Sequence, residues 1–175
     1  MTLPCAQELR ATVVRAAASL RAMTADRARA RPAAGKWSAQ EIIGHLIDSA
    51  SINHHRFVRA RFRDDLEFDS YDQVEWVLAQ DYQNAAWTEL LDLWEAFNLH
   101  LSHVIDRTPD TVLDLPREKH NLDVIAWETV PRDESATLRY LMRDYVAHLE
   151  HHLRQIDINL APEPGRQRRE NAIQP

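Results

Sequence analysis

Residues 37–48, Trp-Ser-Ala-Gln-Glu-Ile-Ile-Gly-His-Leu-Ile-Asp, open the segment that decides the fold. Ser38 followed three residues later by Glu41 is a capping box, in which each side chain satisfies an orphan amide of the first helical turn. The helix it starts runs from Ala39 to about Arg63. Its inner stripe, read in steps of three and four, is Ile42, His45/Leu46, Ser49, Ile52/Asn53, Arg56/Phe57 and Ala60. The same count puts the imidazole of His45 on the buried side.

Outward from this helix, three other stretches have helical character. Residues 4–26, PCAQELRATVVRAAASLRAMTAD, are rich in alanine, leucine and arginine with apolar residues at helical spacing. Pro32 and Gly35 then punctuate the chain. Residues 85–107 carry the stripe Leu90, Leu93/Trp94, Phe97, Leu101 and Val104/Ile105, closed by Pro109. The last stretch starts near Ser135–Thr137, both good caps, and ends near Leu160, with Leu138, Leu141/Met142, Tyr145, His148/Leu149, His152 and Ile156 facing inward. Four amphipathic stretches read as an all-α four-helix bundle over residues 1–160. Residues 161–175, APEPGRQRRENAIQP, read as a polar, flexible tail. Two long connections remain. Residues 64–83 contain a short helix around Val74–Gln80, and residues 108–134 contain one candidate strand, DVIAWETV (123–130).

Composition removes several classes. The 175 residues carry a net charge of −6, where a nucleic-acid binder needs a basic excess. Only 3 glycines are present, too few for a phosphate-cradling loop or a dinucleotide fingerprint. No apolar run approaches the roughly 18 residues of a membrane span, and Glu8 and Arg10 interrupt any signal-peptide core. The single cysteine, Cys5, excludes an internal disulfide and suits a reducing cytoplasm. The expected partner is a small molecule, not nucleic acid or membrane.

The 9 histidines carry the chemical signal. His148 and His152 stand at i and i+4, one above the other on one helix face, where two imidazoles can hold one divalent ion. His45 offers a third nitrogen from a facing helix, and three histidines with an open position make a catalytic zinc-type site. A structural or exposed pair is the alternative. Depth is a test between them. His45 lies about seven residues, roughly 10 Å, into its helix, and His152 about eight residues, roughly 12 Å, from the end of the last one. The levels match if the two helices are antiparallel. The second and third helices then run the same way, which requires a long crossover, and residues 64–83 supply one.

The neighbours admit two readings each. Asn53 and Arg56, further along the same side of the second helix, would orient a polar or anionic cofactor or substrate, or Arg56 snorkels outward from a helix boundary. Trp76, Tyr82 and Trp127 either roof a pocket or anchor their loops. Tyr145 reads as core, and Glu41 as the cap. Asp48 is a partner of His45 or, preferably, points outward. His151 projects toward solvent or the helix flank, His54 and His55 read as surface or rim residues, His100 and His103 face different sides of the third helix, and His120 lies in a loop.

WSAQEIIGHLID with the following DSA, an LW-containing third helix, and AHLEHHLRQI at 147–156 together resemble the DinB superfamily, and within it the YfiT-like branch of metal-dependent hydrolases and bacillithiol-S-transferase-like proteins. The resemblance covers about residues 5–160. It implies a four-helix bundle of up-down-down-up topology, a metal triad at His45, His148 and His152, a zinc or nickel ion, and a homodimer in many members. The activity it implies is transfer of a low-molecular-weight thiol to an electrophilic small molecule, with the bound metal making the thiolate. Hydrolysis by metal-activated water, or a stress-related binding module with a vestigial site, are the alternatives.

Overall fold

The computed structural model describes residues 3–156. The helices are α1 (Pro4–Arg21), α2 (Ala25–Arg29), α3 (Ala39–Ala60), α4 (Gln73–Ala79), α5 (Trp87–Asp106), α6 (Asp110–Leu113), α7 (Leu122–Ile125) and α8 (Leu138–Gln155), with a 3-10 turn at Tyr82–Asn84. The expected tail at 161–175, and the expected reach of the last helix to Leu160, lie outside the described residues.

Local chemistry sets the helix ends. The capping box forms as read: Ser38 Oγ accepts from the Glu41 amide and the Glu41 carboxylate accepts from the Ser38 amide. Glu41 is buried and also pairs with Arg31. Thr137 caps α8 by accepting from the Tyr140 amide. The stretch expected to be one helix over 4–26 is two, because Thr24 accepts from the Arg27 amide and so starts α2.

Residue pairs fix the directions of the four long helices. Leu3 meets Asp106, Ser102 meets Ala6, and Arg21 meets Asp92 and Glu95, so α1 and α5 are antiparallel. His45 meets His152 while Phe57 meets Tyr145, so α3 and α8 are antiparallel. Thr12 donates to Glu150, and Cys5 senses Arg139 and Arg143, so α1 and α8 run together. The order is therefore up, down, down, up, and the 64–83 crossover carries the chain between the parallel α3 and α5.

Leu9, Leu20, Ile43, Leu46, Phe57, Trp94, Leu101 and Tyr145 fill the core, each worth roughly 1.5–3 kcal/mol when an aliphatic or phenyl side chain is fully covered. The stripe of α5 differs from the expected one. Leu90, Trp94, Leu101, Val104 and Ile105 are buried as expected, but Leu93 is half exposed, and Leu91 and Asn98 are buried in addition. Asn98 is admitted because its amide donates to the Trp94 carbonyl and its oxygen accepts from Tyr145 Oη at 2.5 Å.

The expected strand at 123–130 does not form. Its first residues complete α7, and the amides of Trp127 and Glu128 donate to the carboxylate of Asp144 at 2.9 and 2.7 Å rather than to a neighbouring strand. Among the described residues β pairing is limited to isolated bridges, Leu66 with His120 and Arg117 with Ala136. The first bridge ties the crossover to the second long connection. No described helix is long and apolar enough to cross a membrane.

Candidate metal centre

The antiparallel meeting of α3 and α8 brings His45, His148 and His152 together. One ligand nitrogen from each lies within 4.8 Å of the other two. His148 Nε2 is 3.4 Å from His45 Nε2 and 3.0 Å from His152 Nε2. Two nitrogens each about 2.05 Å from a tetrahedral zinc would be roughly 3.3 Å apart, so the spacing is that of ligands to one ion.

The far side of each ring supports the same reading. His152 Nδ1–H donates to Gln155 Oε1 at 2.9 Å, and Gln155 is itself held by donating to His151 Nε2 at 3.0 Å. His148 Nδ1 faces Ser49 Oγ at 3.5 Å, and Asn53 Nδ2 reaches the same hydroxyl at 3.4 Å. With hydrogens assigned from these partners, both rings carry the proton on Nδ1 and turn the Nε2 lone pair inward, as metal ligands do. His45 Nδ1 is buried without a partner.

Burial keeps all three rings neutral. His45 and His152 are 1% and 8% exposed, and His148 keeps one side open. Desolvation, then the neighbouring His152, pulls the pKa of His45 down to about 3. Desolvation pulls His152 down to about 4, with His151 adding to it and Gln155 opposing it. His148 is lowered well below 6.5 by burial and then by His152, His45 and His151. Three neutral imidazoles with converging lone pairs are a donor set for a borderline divalent cation.

Two tryptophans enclose the cluster. Trp37 packs 5.2 Å from the His45 ring, and Trp127 packs 4.4 Å from His151 and 5.5 Å from His148. Beside it opens a cavity of about 210 Å³, walled by residues that include His45, His148, Ser49, Asn53, Arg56, Tyr71, Trp127 and Asp144.

Members of the DinB superfamily share a sequence pattern that matches residues 8–156 of this chain. The chain belongs to the DinB superfamily. No curated protein sequence matches it significantly. Among solved structures, the DinB chain is similar to YfiT from Bacillus subtilis, described as a probable metal-dependent hydrolase with an unusual four-helix bundle topology. The TM-score is 0.70 at 19% identity, covering 87% of this chain and 81% of that one.

The other expected residues divide. Asn53 and Arg56 are both buried and line the cavity; the outward alternative for Arg56 is not what the structure shows. Asn53 donates to the Ser49 carbonyl and hydroxyl of its own helix. Asp48 neither touches His45 nor points outward. It is 3% exposed and accepts from Tyr82 Oη and Gln80 Nε2, both at 2.7 Å, because the crossover folds over it. Trp127 roofs the site, whereas Trp76 packs on Tyr71 and Tyr82 sits against Gly44. Tyr145 is core. His54 packs with tilted rings against Phe97 and His100, and His120 locks its loop through the Glu134 carbonyl and the Leu122 amide.

Sequence reasoning passed over Gln155, Tyr71 and Asp144, and read Trp37 as part of the helix-start motif and Ser49 as part of the inner stripe, neither with a role at the site. Gln155 at i+3 from His152, and Asp144 at i−4 from His148, stand at helical spacing from a ligand. Nothing local marks Trp37 or Tyr71.

Proposed function

We propose that this DinB protein is a metal-dependent enzyme acting on a small molecule, with His45, His148 and His152 holding zinc or nickel, and that its reaction is transfer of a low-molecular-weight thiol to an electrophilic carbon. A divalent cation there supplies the positive charge that lowers the pKa of a thiol and favours the nucleophilic thiolate. The remaining work falls to the chain. Ser49 and Gln155 orient the ligand rings, Trp37 and Trp127 keep water from the cluster, and Asn53 and Arg56 contact the bound cofactor or substrate.

The observation that carries the choice of transfer is the state of the cavity's carboxylate. Hydrolysis calls for a general base within reach of the attacking water. Asp144 is the acid among the lining residues, and each of its oxygens accepts a backbone amide, from Trp127 and from Glu128. A thiol activated by the cation requires no such base. Hydrolysis by metal-activated water is the second reading, favoured by Asp144 lining the cavity at all.

A conjugation assay separates the readings. Purified protein, metal-free or loaded with zinc or nickel, is incubated with a panel of small thiols and a chloro-dinitro aromatic. Transfer predicts thiol consumption that requires metal and is lost in His148→Ala. Ester or amide cleavage without thiol establishes hydrolysis instead, and metal binding with neither reaction overturns both.

A further inference from the structure

Arg56 is 5% exposed and lies on the wall of the cavity that holds His45 and His148. A guanidinium has five N–H donors. Here one hydrogen bond is made, from Nη2 to the carbonyl of Asp69 at 3.1 Å, and Nε has no partner. A carbonyl bears no net charge, and no ion pair to Arg56 exists among the described residues. Asp144 acts on it only at longer range, with both oxygens engaged by backbone amides. A buried cation with no ion pair is costly, and on the wall of a cavity it marks a candidate contact for a ligand anion.

The comparison with Arg117 sharpens the point. Arg117 is as buried, at 2% exposed, and its Nε is likewise unpartnered, but its two Nη atoms donate to the carbonyls of Val112, Leu115 and Ala60 and it lines neither described cavity. It ties the second long connection to the end of α3. Arg56 has one such bond and an open space before it.

We propose that Arg56 is the seat of a carboxylate carried by the small molecule that this cavity takes. The planar fork of a guanidinium matches a carboxylate in two parallel hydrogen bonds. Among the lining residues Arg56 is the one permanent cation, and Asp144 contributes an opposing negative charge. That balance favours a monoanion over a phosphate dianion. Hydroxyls stand on the same wall at Ser70 and Tyr71. Burial pushes the Tyr71 phenol up to about 12, so it remains a donor. The inference rests on the reading of this cavity as the substrate site, and it names the chemistry at the end away from the histidines.

The test uses the full chain stripped of metal, so that no ion competes for the anion. Butyrate and its neutral isostere butanamide are titrated in, followed by 1H–15N chemical shifts. The native protein is expected to bind butyrate at least tenfold more tightly than butanamide, with the shifts centred on Arg56, Ser70 and Tyr71. Arg56→Gln is expected to reduce that preference to under twofold, while Arg59→Gln, which removes a charge from the same helix outside this cavity, leaves it intact. Should Arg56→Gln fail to fold, Arg56→Lys carries the test: a point charge without the fork lowers the preference to below threefold. Equal binding of butyrate and butanamide by the native protein, or a tenfold preference that survives in the Arg56 variants, overturns the proposal. Zinc binding by the same samples is measured separately. Loss of zinc binding with the butyrate preference intact defeats the metal reading alone, and the reverse pattern defeats only the carboxylate seat.

Discussion

Ser49 Oγ lies 3.5 Å from Nδ1 of His148, on the opposite side of the ring from the nitrogen that meets His45 and His152. The serine comes from α3 and the histidine from α8, so the hydroxyl holds across the helix interface the ring orientation that a cation needs. Partners of this kind commonly govern metal affinity by tenfold to a hundredfold. Ser49→Ala is therefore expected to weaken zinc binding by about 10-fold or more, read by competition with a chelating dye, with the helical circular dichroism unchanged. An affinity within twofold of native would remove Ser49 from this role.

The triad and its neighbour His151 are expected to behave differently. His148→Ala loses the ring whose Nε2 sits between the other two. Elemental analysis should show about one ion per native chain and near none in this variant. His151→Ala should retain the ion, because the His151 ring bonds to Gln155 rather than facing the cluster.

Depressed histidine pKa values fix the sign of a pH effect in the metal-free protein. An unfolded histidine titrates near 6.5, while His45 titrates near 3 and His152 near 4 in the fold, with His148 also lowered. Below 6.5 the unfolded chain takes up protons that the folded one refuses. The stability contribution is thus complete above 6.5, falls as the pH falls, and is gone below the folded values. Each of these histidines contributes a slope of about 1 kcal/mol per pH unit in that window. Urea denaturation at pH 7.5 and 5.5 measures it, and His152→Leu should flatten the dependence. A steeper dependence in that variant than in the native chain contradicts the assignment.

Gly44 precedes His45, and a Cβ built on it would lie 2.2 Å from the Tyr82 ring. That ring is fixed by its hydroxyl, which donates to Asp48 at 2.7 Å. Gly44→Ala must displace the crossover, at a cost of about 1–3 kcal/mol for overpacking. A lower urea midpoint with unchanged slope is the expected result, and a native midpoint would mean that Tyr82 moves freely.

Much of this arrangement was legible in the sequence. Ser38 and Glu41 dated the start of α3, and the 3.6-residue period then carried His45 inward. The i, i+4 spacing paired His148 with His152, and the length of the 64–83 connection gave helix directions that bring the levels together. These are local rules applied along one helix at a time. Where contact depends on distant chain, the rules gave out. Asp48 looked outward on its own helix, and only the folded crossover, through Tyr82 and Gln80, buries it. The apolar run around Trp127 has the composition of a strand, but the carboxylate of Asp144 takes the amides a ladder would use. Leu93 and Leu91 are equally apolar, and packing against the other helices alone selects Leu91 for the interior.

The distance along the chain between the two halves of the cluster has a temporal meaning. His45 and His148 are separated by 103 positions. During synthesis the first imidazole leaves the ribosome long before the others exist, and no pair from α3 alone can grip an ion. The full three-ring set cannot exist until α8 has emerged and docked, so the cluster is completed last, on a bundle whose other long helices are already made.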